Sequence, residues 1–355
     1  MSRLFTPLRI RELEFKNRIF VSPMCQYSAK DGIPNDWHFV HLGSRAVGGA
    51  GLVFTEATAV SPQGRISPAD LGIWNEEQVK AFKRVTSFVK AQGAIPGIQL
   101  AHAGRKASTR VPWEGEGWVP ESEGGWQTIA PSAIPFDDHY SRPNEMTHDD
   151  LRIVLSQFKE AARRSREAGF EVVEIHAAHG YLLHEFLSPL SNRRKDEYGG
   201  SLENRARFPL EVAKTVRGLW PESLPVFVRV SATDWAEGGW DLAQSIQFAR
   251  WLKEIGIDLI DTSSGGLVPR VKIPMAPGYQ LPFAEAIRRE AGIMTGGLGL
   301  ITDAHQAEQI LITGQADVVV MAREFLRDPY FPLHGAKLLG DDPQYPVQYL
   351  RAKPK

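Results

Sequence analysis

The chain has 355 residues, of which 43% are hydrophobic and 23% charged, and its formal net charge is −1. This balance excludes the clustered positive charge that binding to nucleic acid or to an anionic membrane surface requires. No apolar run reaches the roughly 20 residues that span a bilayer, and no signal-peptide pattern opens the sequence. A single cysteine forms no internal disulfide, so we expect a soluble, cytoplasmic protein.

Eight short apolar runs predict eight strands, at 18–22, 52–56, 95–100, 171–176, 226–231, 258–263, 293–297 and 317–322. The runs are continuous more than alternating, as expected for parallel strands covered on both faces. Amphipathic segments between them predict helices over 75–93, 147–169, 202–220, 241–256 and 302–314. Several of these segments begin at Asn, Thr or Asp and end at Gly, the residues favoured at helix caps.

Strands that alternate with helices predict an α/β fold, and eight such strands favour a single (β/α)8 TIM barrel over residues 1–355. A doubly wound sheet is disfavoured because the turn after the first strand, PMCQYS, lacks a GxGxxG pattern. The segment 103–146, after the third strand, is rich in Gly, Pro, Ser and Trp. A loop this long predicts a lid or inserted subdomain that caps the barrel mouth.

Catalytic groups of such barrels lie at the carboxyl ends of the strands. Polar or small residues stand at these ends, namely Ser22, Glu56, Ala57, Gln99, His102, His176, His179, Arg229, Ser263 and Ser264. The glycine-rich 295–299 after the seventh strand and Arg323 after the eighth match the phosphate site of many barrels. A tight turn and a surface ion pair explain these two features equally well.

Two polar residues within apolar strands have two interpretations each. Arg229 would be buried and needs a partner, either a structural carboxylate or an electron-rich ligand over the barrel mouth. Gln99 offers a donor and an acceptor, which suits the edge of an amide-like heterocycle. It could equally line the core with its amide bonded to backbone.

The stretch HAAHGYLLHEF (176–186) places His176 and His179 at the end of the fourth strand, with Tyr181 and His184 beyond them. The two imidazoles could hold a metal, act as hydrogen-bond donors to a substrate, or be structural. A metal site needs three or four suitable ligands, and neither HExxH nor a cysteine cluster is present. We expect His184 to be structural.

Several motifs together resemble the old yellow enzyme family of flavin-dependent ene-reductases, in its thermophilic-like branch. They include NRIFVSPMCQYSAKDGIPNDWH (17–38), GGAGLVFTEATAV (48–60), GIQLAHAGRKA (97–107), FEVVEIHAAHGYLLHEFLSPLSNRRKDEYGGSLENRARF (170–208), VRVSATDW (228–235), DTSSGG (261–266), TGGLGLITD (295–303), REFLRDP (323–329) and YPVQYLR (345–351). The similarity extends over essentially the whole chain.

The resemblance implies a tightly but non-covalently bound FMN over the barrel mouth. The residues that it assigns to FMN are Ser22, Pro23, Met24, Cys25, Ala57, Gln99, Arg229, Ser263, Gly297, Gly299, Ala322 and Arg323. Within this set, Cys25 would lie near the reactive edge of the flavin, Gln99 at its pyrimidine edge and Arg229 near N1. The family commonly has Gly-Arg where this chain has Ala322-Arg323, and we expect phosphate binding to survive the added methyl group.

The resemblance also implies a reaction, in which hydride from NADPH or NADH reaches an activated alkene through the flavin. His176 and His179 would polarise the oxygen of an α,β-unsaturated carbonyl or nitro compound, and Tyr181 would protonate the α-carbon. Tyr27 would be a further substrate contact. Two other functions stay open at this point: a metal-dependent barrel hydrolase built on His176 and His179, and a low-turnover redox sensor acting through Cys25.

The C-terminal segment resembles a further feature of this branch, an arginine that reaches the active site of a neighbouring subunit. Arg351 occupies that place, so residues 340–355 would form a tail in contact with another subunit. The expected assembly is a homodimer or homotetramer with active sites completed across the interface. A frayed terminus is the alternative explanation.

Overall fold

A computed structural model describes residues 1–353, so the last two residues of the expected tail lie outside it. Eight parallel strands form a closed barrel in chain order, with the eighth strand paired to the first. We label them β1 (Ile19–Val21), β2 (Leu52–Ala59), β3 (Ile95–Ala101), β4 (Val172–Ala177), β5 (Val226–Ser231), β6 (Leu259–Ser263), β7 (Met294–Gly297) and β8 (Val318–Met321). The predicted (β/α)8 barrel is confirmed.

The strands form because their residues are apolar on both faces, and nearly every strand residue is buried. One face packs into the barrel and the other against the surrounding helices, as in parallel sheets generally. β2 runs three residues beyond its predicted end at Glu56, and its pairing with β3 shifts register between Phe54 and Ala57. This irregularity lies at the strand end that bears Ala57.

Ten helices surround or flank the barrel in the described residues. They are α1 (Asp36–Val47), α2 (Glu76–Ala91), α3 (His148–Glu167), α4 (Leu182–Leu187), α5 (Leu202–Leu219), α6 (Leu242–Ile255), α7 (Leu281–Ala291), α8 (Ala304–Ile312), α9 (Arg323–Arg327) and α10 (Phe331–Leu338). The five predicted helices are α2, α3, α5, α6 and α8. Asn75, Thr147, Ser201, Asp241 and Asp303 each accept a backbone N–H at the start of their helix, as N-caps do.

The amino end of the barrel is closed by an antiparallel hairpin, Leu8–Ile10 with Leu13–Phe15. Phe15 packs on Phe20 of β1, and Phe227 of β5 stacks on the other side of Phe20. These buried rings fill that end of the barrel. The interior of the barrel is therefore filled at its amino end.

The segment 103–146 follows β3 and contains little regular structure. It has short 3-10 turns at Gly104–Lys106, Pro112–Glu114 and Glu121–Glu123, and a two-residue pairing of Ile129–Ala130 with Asn144–Glu145. Other 3-10 turns are Arg3–Phe5, Pro62–Gly64 and Val347–Ala352. No helix among the described residues is long and apolar enough to cross a membrane.

Candidate active site

A polar cleft of about 820 Å³ opens at the carboxyl ends of the barrel strands. Among its lining residues are seven that the sequence analysis assigned to a cofactor or substrate site: Ser22, His179, Arg229, Ser263, Gly299, Ala322 and Arg323. They come from distant parts of the chain and meet because parallel strands end together at one rim of the barrel.

Arg229, on β5, has the structural carboxylate that one of its two interpretations requires, and it also lines the cleft. Its Nη1 donates to Ser22 Oγ at 2.9 Å, and its Nε lies 3.3 Å from Asp261 Oδ2. The Nε–H makes no well-aligned hydrogen bond within the described residues, and the side chain lines the cleft. Arg229 therefore balances a structural carboxylate at the edge of the cleft.

Gln99 is bonded to a side chain, not to backbone: its Nε2 donates to Glu174 Oε1 at 2.8 Å. Glu174, Asp261, Gln99 and Arg229 form a buried group that we call the polar layer. Burial raises the pKa of both carboxyl groups, despite the nearby guanidinium. The sequence analysis missed Glu174 and Asp261, although each is an acidic residue inside an otherwise apolar run.

The far end of the cleft carries Arg323, which is exposed and forms no ion pair within residues 1–353. Gly299 has φ +109°, and a Cβ there would lie 3.1 Å from the backbone nitrogen of Gln280. Gly297 is placed differently from the expectation, because it is buried against Leu281 and Ala316 and does not line the cleft.

His176 and His179 lie side by side between the cleft and an apolar region. His176 Nδ1 accepts from the backbone N–H of Ala178 at 3.3 Å, which places the ring proton on Nε2. That Nε2 lies 3.4 Å from His179 Nδ1, and His179 Nε2 lies 2.7 Å from Ser263 Oγ. Burial, followed by the charge of Arg229, lowers the pKa of both imidazoles well below its usual value. Both rings are therefore neutral at pH 7.

The other side of the site is an apolar wall that brings together Cys25, Ala57, Tyr27 and Tyr181. Burial, with the nearby charges of Asp70 and Glu56, raises the pKa of the Cys25 thiol well above its ordinary value. Burial also raises the pKa of Tyr181, whose ring contacts that of His176 with centroids 5.1 Å apart. The phenol is thus a weaker acid than the value near 10 typical of tyrosine.

The segment from Pro23 to Tyr27 is half-buried and runs along this wall. The backbone N–H of Gln26 donates to Glu56 Oε2 at 2.9 Å, and Glu56 Oε1 lies 3.2 Å from His38 Nε2. This buried contact fixes the segment that bears Cys25. Met24 packs instead against a neighbouring part of the core.

Lys106 and Gln280 belong to the site although the sequence analysis assigned neither a role. Lys106 Nζ donates to the carbonyl oxygen of His179 at 2.9 Å and lies 4.9 Å from the centre of the Tyr181 ring. Burial lowers the pKa of Lys106 to about 8. Gln280 Nε2 donates to Ser264 Oγ at 2.8 Å. LAHAGRK at the end of β3 signalled the lysine, whereas nothing in the sequence marked Gln280.

Two features considered in the sequence analysis, the role of Arg351 and a metal site, are not part of this group of residues. Arg351 lies in the exposed 3-10 turn Val347–Ala352, which buries none of its residues. Within residues 1–353, the one group with three candidate metal ligands in mutual reach is His148, Asp196 and Glu197, on the surface. His176 and His179 have no third ligand beside them in that part of the chain.

The model of the NADH:flavin oxidoreductase / NADH oxidase family matches residues 3–340. The chain belongs to this family. NADPH dehydrogenase of Listeria innocua is 52% identical over 354 residues, which cover 99% of each chain. NADPH dehydrogenase of Bacillus subtilis strain 168 is 51% identical over 351 residues and 98% of each chain. The hydrolase alternative is therefore excluded.

Solved structures agree with this family assignment. Morphinone reductase in complex with tetrahydroNAD shares 30% identity and a TM-score of 0.79, over 97% of this chain and 92% of that one. The old yellow enzyme homologue of Zymomonas mobilis shares 27% identity and a TM-score of 0.78, over 99% of both. The predicted old yellow enzyme family is confirmed, and the enzyme is an FMN-dependent NAD(P)H oxidoreductase.

The residues of the site fit FMN. Arg229 Nε and Gln280 Oε1 are buried polar atoms without a well-aligned partner in the described part of the chain, and both residues line the cleft. Arg323 supplies an unpaired cation for a phosphate at the far end. The wall formed by Ala57 and Cys25 leaves an apolar side for a flat ring. Such a division into polar edge and apolar face is what a flavin requires.

Proposed function

We propose that this enzyme reduces the activated C=C bond of α,β-unsaturated carbonyl or nitro compounds, with NADPH as the main hydride donor. The proposal rests on the pair of neutral, adjacent imidazoles at the end of β4. Because both rings are neutral, their N–H groups donate hydrogen bonds to a substrate oxygen without the acidity of an imidazolium. FMN, held by the residues of the cleft, would supply the hydride-transfer chemistry that links the nicotinamide to the β-carbon of the alkene. The names of the NADPH dehydrogenases support the choice of donor.

His176 and His179 hold the substrate oxygen in this proposal. The Nε2–H of His176 faces His179 Nδ1 only at 3.4 Å, a long contact that a substrate oxygen replaces at little cost. Donors fixed in advance stabilise the negative charge that develops on the oxygen, by a few kcal/mol each in other enzymes. The same two hydrogen bonds would withdraw electron density from the β-carbon and so prepare it to accept hydride.

Tyr181 supplies the proton to the α-carbon. Because burial raises the pKa of its phenol, the proton stays on the oxygen at every pH near neutrality. Tyr181 belongs to the same apolar wall as Tyr27, which we propose as a second substrate contact. Water is kept from the transfer by this wall and by the segment 103–146, which we propose as the cap of the mouth. Trp113 of that segment packs on Tyr27, with ring centroids 6.0 Å apart.

The remaining cofactor assignments follow the same logic. We propose that Ser22 to Cys25, Ala57, Gln99, Arg229 and Ser263 bind the isoalloxazine, and that Gly299, Ala322 and Arg323 bind the phosphate. Arg351 of a neighbouring subunit would complete the substrate pocket. The methyl group of Ala322 lies beside Arg323 at the cleft, and we expect it to shift the phosphate without preventing binding.

The test uses the FMN-loaded enzyme under anaerobic conditions with NADPH and 2-cyclohexenone. We expect steady NADPH oxidation in the wild type, and a loss of about a hundredfold in alkene reduction in His176→Ala/His179→Ala, as for removal of paired oxyanion donors. A phenol, titrated by its effect on the flavin spectrum, should bind more weakly to this variant while FMN stays bound.

His334→Ala is the matched control, since this exposed histidine pairs with Asp328 far from the mouth. Tyr181→Phe should slow the alkene step and leave reduction by NADPH unchanged. Absence of turnover with any activated alkene would contradict the proposal and favour the redox-sensor function for Cys25. Loss of FMN with unchanged phenol affinity in the double variant would place the histidines at the cofactor instead.

A further inference from the structure

The turn at 178–181 carries both His179 and Tyr181 and has a strained backbone. His179 has φ +59° and Gly180 has φ +73°, so two consecutive residues occupy the left-handed region that non-glycine residues rarely adopt. A conformation of this kind persists only where the surroundings hold it. The side chains that form hydrogen bonds with the backbone N–H and carbonyl groups of the turn are therefore candidates for stabilising it.

Besides His176, which accepts from the N–H of Ala178, three side chains hold this turn by its backbone. The N–H of His179 donates to Ser231 Oγ at 2.9 Å, and the carbonyl oxygen of His179 accepts from Lys106 Nζ at 2.9 Å. The N–H of Gly180 donates to His184 Nδ1 at 2.9 Å. Lys106 Nζ also donates to the carbonyl oxygen of Gly266 at 3.0 Å, which ties the turn to the loop after β6.

His184 is in turn oriented by a buried carboxylate. Its Nε2 lies 2.9 Å from Asp234 Oδ1, and both side chains are fully buried. Asp234 Oδ2 accepts from Ser188 Oγ at 2.6 Å and from the backbone N–H of Trp240 at 2.7 Å. Since Gly180 donates to Nδ1, the ring proton is on Nε2 and faces Asp234.

We propose that Asp234, His184 and Lys106 are positioning residues that hold the turn at 178–181 in the conformation directing His179 and Tyr181 into the active site. The three residues act on the turn and not on β4 itself, because β4 ends at Ala177, before the turn. Asp234 acts through His184, and His184 through the backbone of Gly180. The inference rests on the proposed function of His179 and Tyr181 as substrate contacts.

Two substitutions at one position separate this role from general stability. His184→Asn places an amide oxygen where Nδ1 lies and keeps the acceptor for Gly180, but loses the contact with Asp234. His184→Gln places an amide nitrogen near Nε2 and keeps the contact with Asp234, but loses the acceptor for Gly180. Each variant removes one of the two buried contacts of His184. If this histidine served only general stability, the two variants would have the same phenol affinity.

We expect His184→Gln to weaken phenol binding by about tenfold, because a turn that is correctly formed only part of the time lowers apparent affinity in proportion. His184→Asn should weaken it less, because it keeps the acceptor for Gly180 and loses only the orienting contact with Asp234. Lys106→Met should resemble His184→Gln. Thr86→Val is the control: it removes the buried bond to the carbonyl of Ala168 at 2.7 Å, remote from the mouth, and should leave phenol affinity unchanged. Equal affinities in the Asn and Gln variants overturn the proposal.

Hydrogen exchange of the wild-type backbone gives a second measurement that needs no variant. The amides of His179 and Gly180 should exchange as slowly as those of β4, although they lie in a turn; fast exchange in the folded holoenzyme would refute the tethering. A wild type that binds no phenol yet shows slow exchange and a correctly folded barrel would contradict the proposed function alone.

Discussion

Arg229 joins the barrel interior to the cleft with a single side chain. It faces Asp261 and Ser22, and the polar layer would otherwise contain two buried carboxyl groups without a counter-charge. Burial of an unpaired charge costs several kcal/mol. The same cation, placed at a flavin, stabilises the anionic reduced form. In the proposed site, one residue would thus meet a stability requirement and a redox requirement together.

We expect Arg229→Met to lower the free energy of unfolding by about 3 kcal/mol at pH 7 and to weaken FMN binding. The folded-state pKa values of Glu174 and Asp261 are already raised, and loss of the cation raises them further. A carboxyl group whose pKa is higher in the folded state than in the unfolded state stabilises the fold at low pH. This contribution is lost as the pH rises through the folded-state pKa. The deficit should therefore shrink at pH 5, as measured by urea unfolding of the apoprotein.

Arg229→Met/Asp261→Asn provides the matched comparison, because it removes one carboxylate together with the cation. Its stability should return toward the wild type while FMN affinity stays low. If FMN affinity recovers with stability, the arginine acts on the fold alone.

Strand-end residues such as Ser22 and Arg323 could be placed from sequence, because the carboxyl ends of parallel strands converge on one rim. The side chains that form hydrogen bonds with strand-end residues could not be predicted from sequence. Which side chain faces Gln99 depends on the stagger between β3 and β4, where Gln99 pairs in register with Glu174. The spacing of residues along one strand gives no information about its register with the neighbouring strand. Gln280 was missed for the same reason, since it reaches Ser264 from the residue preceding α7.

Helices α1 and α7 were not predicted, whereas all eight barrel strands were. The face of α1 that packs on the barrel includes His38, Gly43 and Arg45 beside Leu42 and Ala46, so non-apolar residues interrupt its apolar pattern. α7 starts without a side-chain N-cap, and alanines make up most of its buried face. Both helices are stabilised by tertiary contacts that the hydrophobic periodicity of the sequence does not reveal.

The turn after β4 allows a test at the level of one element. Gly180→Ala would place a methyl group into the carbonyl oxygen of Gly266, in addition to the cost of φ +73°. We expect a loss of about 3 kcal/mol in stability, of which about 1 kcal/mol is the backbone cost alone. Phenol binding should fall with it, because the turn carries His179.

Gly93→Ala is the matched control for this turn. Gly93 has φ +69°, yet no atom lies within 4 Å of a Cβ built there. It should show only the backbone cost of about 1 kcal/mol and normal phenol binding. Equal losses of stability in the two variants, measured by urea unfolding, would show that Gly266 yields to the methyl group.

At the scale of the whole molecule, none of the residues in the C-terminal turn Val347–Ala352 is buried. Val347 is 75% exposed and Leu350 is 53% exposed, so the segment adds little to the stability of a single subunit. Apolar side chains in this setting suit a contact with another copy. The proposed role of Arg351 in a neighbouring site agrees with this exposure.

Ending the chain after Tyr349 should leave the midpoint of thermal unfolding of the holoenzyme within about 2 °C of the wild type, since a surface change has little effect on stability. Turnover of cyclohexenone should fall about tenfold, the effect of losing one charged contact to the substrate. Arg351→Ala should reproduce the kinetic loss, and Lys353→Ala should not. Full activity in the shortened enzyme would dismiss the idea.

The pairing of β8 with β1 has a consequence for biosynthesis. Val319 lies against Ile19, and the N–H of Ser22 donates to the carbonyl of Met321 at 2.9 Å. The ring thus closes only after nearly the whole polypeptide has left the ribosome, a contact of very high sequence separation. Ser22 and Arg323, at the two junctions, then face one cleft for the first time. We therefore expect cofactor loading to follow synthesis of the chain, and nascent chains that stall before β8 to carry no flavin.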